Sequence, residues 1–172
     1  DMSTKSVMLT FAVILVGLVI TFWDFVSVVP ISAGLMWTLV VVGIVVALSI
    51  GFFVAAACGY MAGLIGTSAS PISGIGILAT IISSLVVYFI AAENNLFATQ
   101  EGVQFATAMA IFMTSVVIAI ASISNDNLQD LKTDQLVGAT PWRQQIALLL
   151  GSVAGAVAIA PVLNLLYQAY GF

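Results

Sequence analysis

The sequence predicts an all-α, polytopic integral membrane protein with about five transmembrane helices and a Gly/Ser/Pro break near residues 66–71. Composition gives the first reason, because 62% of the 172 residues are hydrophobic and only 6% are charged. A soluble domain of this size cannot bury that much apolar surface. Length gives the second reason, because five apolar segments match the roughly 20 residues that a helix needs to cross the hydrocarbon core.

The predicted spans follow one another with short connections. They cover residues 7–29, 35–58, 72–92, 104–123 and 142–170. Pro30 closes the first span and Pro161 interrupts the fifth, since a proline inside a helix removes a backbone hydrogen bond. Lys5 and the apolar run after it also fit a signal peptide. No small-x-small cleavage site follows that run, so a true span is favoured.

Three cationic residues, Lys5, Lys132 and Arg143, orient these spans. Cationic residues of short loops stay in the cytoplasm. Lys5 therefore places the N-terminus there, and the other two place the loop 125–145 there. Four predicted spans separate these points, and the rule requires an even number. The acidic loop 93–101 and the C-terminal end of the segment then face outward.

The charged and reactive residues exclude several classes of function. The net charge is −4, with no polybasic run, so neither nucleic acid nor an anionic lipid surface is an expected partner. The chain has no His and a single Cys, Cys58, which excludes a His- or Cys-based metal site, a disulfide and a Ser-His-Asp triad within it. No Gly-x-Ser-x-Gly motif is present either. We therefore expect no cofactor, no metal site and no enzyme.

Small residues recur at every fourth position along the second span and its continuation toward Gly66. This stripe consists of Gly43, Ala47, Gly51, Ala55, Gly59 and Gly63. A line of small residues on one side of a helix lets another helix approach closely within a membrane. Gly151-x-x-x-Gly155 in the fifth span is a second motif of this kind. Such motifs indicate helix packing, with or without transport.

The break at 66–71 predicts a second helix start at membrane depth. Ser70 is a favourable N-cap and Pro71 suits the first helical position, which would place Ser73 third. The unpaired amides and positive dipole end of a helix N-terminus can hold a carboxylate or phosphate. One interpretation is a broken helix that faces the substrate of a transporter. The other is a tight cytoplasmic turn between two ordinary spans.

The polar stretch 125–145 carries a second group of candidate residues. Asp126 and Asp130 are four residues apart, so on a continuing helix they would share one face. Carboxylates at a membrane boundary can carry a coupling proton, although a solvated loop whose acids face water is an equally simple interpretation. Thr140 and Pro141 then predict the start of the last helix. Arg143 could pair with either aspartate.

Three stretches resemble the oligopeptide transporter (OPT) family, especially its bacterial members. Residues 59–74, which end in Ser-Pro-Ile-Ser-Gly, resemble its glycine-rich segment. Residues 126–145, with Asp-Asn-Leu-Gln-Asp-Leu-Lys-Thr and then Leu-Val-Gly-Ala-Thr-Pro-Trp-Arg-Gln-Gln, resemble its cytoplasmic loop, and residues 160–171 also resemble the family. Two positions depart from the family pattern, with Ala69 in place of Asn and Asp134 in place of Gly.

The resemblance implies a secondary active transporter, typically driven by a proton gradient, that moves oligopeptides or metal–chelate complexes. A plant branch of the family, the yellow-stripe-like proteins, moves metal–phytosiderophore and metal–nicotianamine complexes. Because the chain begins with Asp1 and has an odd number of predicted spans, we expect residues 1–172 to form one transmembrane segment in the middle of a longer transporter. Its partners would be the lipid bilayer, the remaining helices and the substrate. The resemblance to bacterial members implies that the membrane is the bacterial inner (cytoplasmic) membrane.

Two groups of residues are predicted to carry that function. The predicted substrate path contains Gly59, Gly63, Ser68, Ser70, Ser73 and Gly74. The predicted gate or proton-coupling group contains Asn125, Asp126, Gln129 and Asp130. A bulky residue at Gly59 or Gly63 is expected to abolish transport while leaving insertion intact. The alternative function is a non-transporting assembly or scaffold subunit that packs through the same small-residue stripe.

Overall fold

The computed structural model describes residues 4–171, with every side chain in that range except that of Ser6. It contains five long helices: α1 (Thr4–Ser27), α2 (Ala33–Ile65), α3 (Ile72–Glu93), α4 (Gln100–Val137) and α5 (Pro141–Tyr170). Short 3-10 turns, Thr67–Ala69 and Leu96–Ala98, precede α3 and α4. No strand occurs within residues 4–171. All five helices are long and apolar enough to cross a membrane, which confirms the predicted fold class.

α4 is much longer than the span predicted from hydropathy. It has 38 residues and continues to Val137, so much of the stretch predicted as a loop is helical. Leu, Gln and Lys in this stretch are strong helix formers, and polar composition marks the exit from an apolar environment rather than the end of a helix. The end comes at Gly138, which has φ 70°. The amide of Ala139 donates to the Asp134 carbonyl at 2.9 Å, as in a Schellman cap.

α5 begins as predicted and does not break where predicted. Thr140 is its N-cap residue and Pro141 lies in its first turn, which confirms the predicted start. Pro161 lies inside one continuous helix, so the predicted interruption is wrong. Membrane helices tolerate proline because neighbouring groups and small local adjustments satisfy the freed carbonyl.

The predicted break between the second and third spans is confirmed, but its cap is one residue off. Gly66 ends α2 with φ 94°, a backbone conformation that favours glycine. α3 begins at Ile72, so Pro71 is the N-cap residue, and no side chain caps that helix end. The predicted N-cap role of Ser70 is therefore wrong. Its backbone amide instead donates to the Thr67 carbonyl at 3.1 Å, closing the 3-10 turn.

The described chain divides into two compact units. The first contains 4–58 and 71–122, and its core is formed by side chains of α1, α2, α3 and α4. The largest fully buried ones are Phe22, Leu39, Met109 and Met113. The Phe25 and Phe112 rings stack with centroids 4.2 Å apart. A Cβ at Gly51 would lie 2.7 Å from a methyl group of Ile120, so this part of the stripe packs tightly, as predicted.

The second unit contains 59–70 and 123–171. It includes the last turns of α2, the 3-10 turn after them, the polar end of α4, and α5. No residue of α5 is buried. The close contacts of this unit instead join the segment 59–70 to the polar end of α4, and these contacts position the candidate site.

Candidate functional site

Two hydrogen bonds join the break after α2 to the polar end of α4. The Ser70 hydroxyl donates to the side-chain oxygen of Asn125. The backbone amide of Thr67 donates to Oε1 of Gln129 at 2.9 Å. Asn125 and Gln129 are four residues apart on α4, so their side chains lie on one face of that helix. We call these four residues, Thr67, Ser70, Asn125 and Gln129, the polar junction.

Burial of its side chains means that the polar junction can form in only one arrangement without leaving a buried polar group unpaired. Asn125 is only 2% exposed, and Thr67, Ser70 and Gln129 are half-buried. A buried amide that loses its partner costs more free energy than the hydrogen bond contributes when it is formed. The contact between Asn125 and Ser70 therefore fixes which residue of the break faces α4.

Gly59 brings α2 close enough to α4 for these bonds to form. A Cβ at Gly59 would lie 2.8 Å from Oγ of Ser124 and 3.1 Å from Cγ of Leu128. Both distances are shorter than ordinary van der Waals contact, so a side chain at this position would force Ser124 and Leu128 to shift. A Cβ at Gly63 would meet nothing within 4 Å. The two glycines that look alike in the sequence therefore have different surroundings.

The remaining predicted path residues are not part of the polar junction. Ser68 is exposed on the 3-10 turn. Ser73 and Gly74 are exposed in the first turn of α3, which belongs to the other compact unit. Of the six predicted path residues, the structure brings Ser70 and Gly59 to the polar end of α4.

The predicted gate residues divide into two buried or half-buried amides and two exposed acids. Asn125 and Gln129 have partners in the break. Asp126 and Asp130 are exposed, and both lie on the continuous helix α4. No group of three or more His, Cys, Asp or Glu side chains is placed to hold a metal ion within residues 4–171.

Sequence reasoning missed the contact that links α4 to α5. Nε2 of Gln145 donates to Oδ1 of Asn127 at 2.6 Å. The Arg143 guanidinium, predicted to make this link to an aspartate, lies over the Trp142 ring, 5.5 Å from its centroid. An amide pair thus makes the connection that an ion pair was expected to make. Nothing in the local sequence distinguishes Gln145 from Gln144 as the partner.

Asp134 is the second missed feature of this unit. It is 2% exposed, and its Oδ2 atom has no hydrogen-bond partner. It lies seven residues after Asn127, two helical turns along the same side of α4. That spacing could have singled it out, had the helix been predicted to continue past residue 125. In the sequence alone it stands out only as an added loop carboxylate.

The polar junction is an uncharged contact between a helix break and a neighbouring helix. Its donors are one hydroxyl and one backbone amide, and its acceptors are two side-chain amides. Such a contact can hold the break in one position without a buried charge. It can also exchange partners with an incoming ligand that carries similar hydrogen-bonding groups.

Comparison with known proteins shows which family the sequence belongs to. The sequence model of the OPT oligopeptide transporter protein family matches residues 3–172. Over all 172 residues, the chain is 54% identical to a protein of Haemophilus influenzae (strain ATCC 51907 / DSM 11121 / KW20 / Rd) named "Putative oligopeptide transporter". The chain spans 27% of that relative's length. No solved structure matches the chain. The family match extends over nearly every residue, and five helices are long and apolar enough to cross a membrane; the chain is an integral membrane protein and belongs to the OPT oligopeptide transporter family.

Proposed function

We propose that this chain is part of a proton-coupled secondary active transporter that moves oligopeptides or metal–chelate complexes across the bacterial cytoplasmic membrane. The longer protein that would contain it is called the parent transporter below. The observation that carries the proposal is the polar junction, where a helix break in a family transporter is held by two uncharged hydrogen bonds. Breaks of this kind, set between apolar helices, are where transporters bind substrate.

The strength of the polar junction suits a gate that opens and closes. One hydrogen bond contributes a net stabilisation of about 0.5–1.5 kcal/mol, so the two together contribute about 1–3 kcal/mol. A substrate that forms one or two hydrogen bonds of its own can therefore displace the contact between the break and α4. A buried ion pair would be much harder to open, because breaking it leaves an uncompensated charge.

Close packing at Gly59 would hold one part of this gate, the end of α2, in place against α4. Because α2 packs closely on Ser124 and Leu128 at Gly59, the last turns of α2 stay near α4 when the hydrogen bonds of the break exchange. The moving part is then the segment 66–71, whose Gly66 has a positive φ. Ser68 and Gly63 would lie along the substrate path on either side of this hinge, with Ser73 and Gly74 at the start of the next helix.

The coupling proton is assigned to Asp126 and Asp130. Both carboxylates are exposed on α4, and Gln129 of the polar junction lies between them in sequence. A proton from the aqueous phase on their side of the membrane can reach an exposed carboxylate. Lys132 and Arg143 would keep this end of α4 on the cytoplasmic side by the positive-inside rule, with the N-terminus on the same side and the C-terminal end of the segment outside.

Uptake by the parent transporter in proteoliposomes tests this function. A mixed pool of di- to hexapeptides and, separately, an iron–chelate complex would be supplied with and without an inward pH gradient. We expect gradient-dependent accumulation of one pool, and loss of that accumulation in Asp126→Asn combined with Asp130→Asn. Ser49→Ala is the matched control, because the Ser49 hydroxyl donates only within α2, to the Val45 carbonyl.

Two results would contradict the proposal. Accumulation that is equal with and without the gradient would remove proton coupling. No accumulation of either pool, by protein shown to be folded and inserted, would favour the scaffold function instead.

A further inference from the structure

The polar end of α4 contacts a different neighbour on each of two sides. Asn125 and Gln129 take their hydrogen bonds from the break after α2. Asn127 lies two residues after Asn125 and two before Gln129, which places it about 200° around the helix from each of them. Its side-chain oxygen takes a hydrogen bond from Nε2 of Gln145 on α5, at 2.6 Å. The polar end of α4 is therefore held between the break and α5.

Burial shows that the Asn127 side of α4 is covered along two turns. Leu131 and Asp134 lie four and seven residues after Asn127, and therefore on the same side of the helix. Leu131 is half-buried, and Asp134 is 2% exposed. On α5, the half-buried Leu148 lies three residues after Gln145. The amide pair thus joins the less exposed sides of the two helices.

The amide pair is a second point of attachment between α4 and α5. The first is the turn 138–140, which connects the end of α4 at Val137 to the start of α5 at Pro141. Asn127 lies ten residues before Val137, a distance of about 15 Å along the helix axis. A single attachment at the turn would leave the first turns of α5 free to swing. A second attachment so far from the turn fixes their direction relative to α4.

The contacts on the two sides of α4 resist the same movement. All four of the elements that they join, which are the break, the polar end of α4, the turn and α5, belong to the second compact unit. A rotation of α4 about its axis that withdrew Asn125 and Gln129 from the break would also withdraw Asn127 from Gln145. Breaking the amide pair therefore makes that rotation easier, although Gln145 belongs to neither the break nor the polar junction.

We propose that Gln145 is a positioning residue of the gate, which acts through Asn127 to hold α4 in the rotation at which Asn125 and Gln129 face the break. This inference rests on the proposed function, because it takes the polar junction as the gate of a transporter. It also gives α5 a role in transport. A displacement of α5 that breaks the amide pair releases the polar end of α4 and favours opening of the gate.

An exchange of the two amide side chains tests the pairing in the parent transporter. Gln145→Asn shortens the pair by one methylene group and Asn127→Gln lengthens it by one, so either change alone misplaces the hydrogen bond. The two changes together restore the summed length. Gln144→Asn is the matched control, because Gln144 is the adjacent, exposed residue of α5.

The expected result is a change in KM that the exchange reverses. Each single variant is expected to lower the KM for uptake of trialanine, or of the iron–chelate complex where that is the pool accumulated, by about 2- to 12-fold. This is the factor that corresponds to one hydrogen bond, and KM falls because the substrate then competes with a weaker closed state. A merely structural role would lower kcat through loss of folded protein and leave KM unchanged. Unchanged KM values in the single variants, or no recovery in the exchanged variant, would overturn the inference.

A distance measurement tests the same inference without transport. Spin labels would be attached to Ser68→Cys and Thr133→Cys, two exposed positions of the second unit, in a parent transporter without other cysteines. Gln145→Leu is expected to broaden the distribution of distances between the labels, or to add a second distance, because α4 can then rotate away from the break. Gln144→Leu should leave the distribution as it is. Identical distributions with and without Gln145→Leu would contradict a positioning role.

The two experiments separate this inference from the proposed function. If the parent transporter shows no uptake but Gln145→Leu broadens the distance distribution, the positioning role stands and transport fails. If uptake occurs and neither the distances nor KM respond to the substitutions, transport stands and the positioning role fails.

Discussion

Single residues show how closely α2 and α4 pack beside the helix break. Gly59 faces Ser124 and Leu128 of α4 at distances that leave no room for a Cβ atom, and the hydrogen bonds of the polar junction form a few residues further along α2 and α4. A glycine at this position therefore allows α2 to pack closely on α4 near the polar junction. Asn125 depends on this approach most strongly, because it is almost completely buried and takes its hydrogen bond from Ser70.

Gly59→Leu is therefore expected to destabilise the parent transporter and to reduce uptake. Forcing additional carbon atoms into a packed contact typically costs about 1–3 kcal/mol, and separation of α2 from α4 would also weaken the polar junction. Ala57→Leu is the matched control, since Ala57 is exposed on α2 and points away from the Gly59 side. Thermal unfolding in detergent and peptide uptake would be measured on both variants. Equal melting temperatures would show that α4 yields to the larger side chain and that close packing at Gly59 does not stabilise the protein.

At the scale of elements, the end of α4 behaves as part of the helix rather than as part of a loop. Its amides Asn125 and Gln129 have defined partners, whereas the neighbouring Asp126 and Asp130 are exposed. The same 38-residue helix thus contributes Met109 and Met113 to an apolar core and Asn125 and Gln129 to a polar contact. This division predicts that neutral and acidic residues in one turn respond differently to substitution.

Gln129→Leu is expected to destabilise the parent transporter by about 1–3 kcal/mol, because the half-buried Thr67 amide would lose its acceptor. Asp126→Asn is the matched control for stability, since Asp126 is exposed on the same helix. Guanidinium or thermal unfolding of both variants would give the comparison. A loss in Asp126→Asn as large as that in Gln129→Leu would mean that the helix itself, rather than the contact with Thr67, was affected.

The elements differ in how far sequence could predict them. The spans could be predicted because length and hydropathy report directly on the free energy of placing a segment in lipid. The break could be predicted because Gly66 and Pro71 restrict the backbone at their own positions. The continuation of α4 was not found, because hydropathy reports on burial and not on helicity. The contact between Thr67 and Gln129 joins residues 62 positions apart, and no local pattern carries that information. The cap at Ser70 was displaced because that side chain has a partner on another helix.

At the scale of the whole molecule, α5 is the element with the least support from the rest of the chain. None of its residues is buried within the described range, and a Cβ at Gly151 or Gly155 would meet nothing within 4 Å. Two glycines at this spacing usually lie where membrane helices touch. The Haemophilus influenzae relative is almost four times as long as this chain, since the chain spans 27% of it. In the parent transporter proposed above, further segments would be present to pack there.

Gly155→Leu is expected to lower the melting temperature of the parent transporter by several degrees, because a helix from outside these residues would be held away from α5. Ala156→Leu, one residue along and about 100° around the helix, should have a smaller effect. Thermal unfolding monitored by fluorescence would distinguish them. If both variants had the same melting temperature as the unsubstituted protein, this side of α5 would face lipid, and its glycine pair would have no packing role.

The length of α4 has a mechanical consequence. At about 1.5 Å per residue, 38 residues extend about 57 Å, whereas the hydrocarbon core is about 30 Å thick. Nearly half of the helix therefore projects beyond that core. A rigid rod with such an overhang acts as a lever: tilting it by about 10° within the bilayer would swing its far tip sideways by about 5 Å. A small change in packing within the membrane that tilts α4 would therefore move Asp134 and Gly138 by more than the diameter of a water molecule.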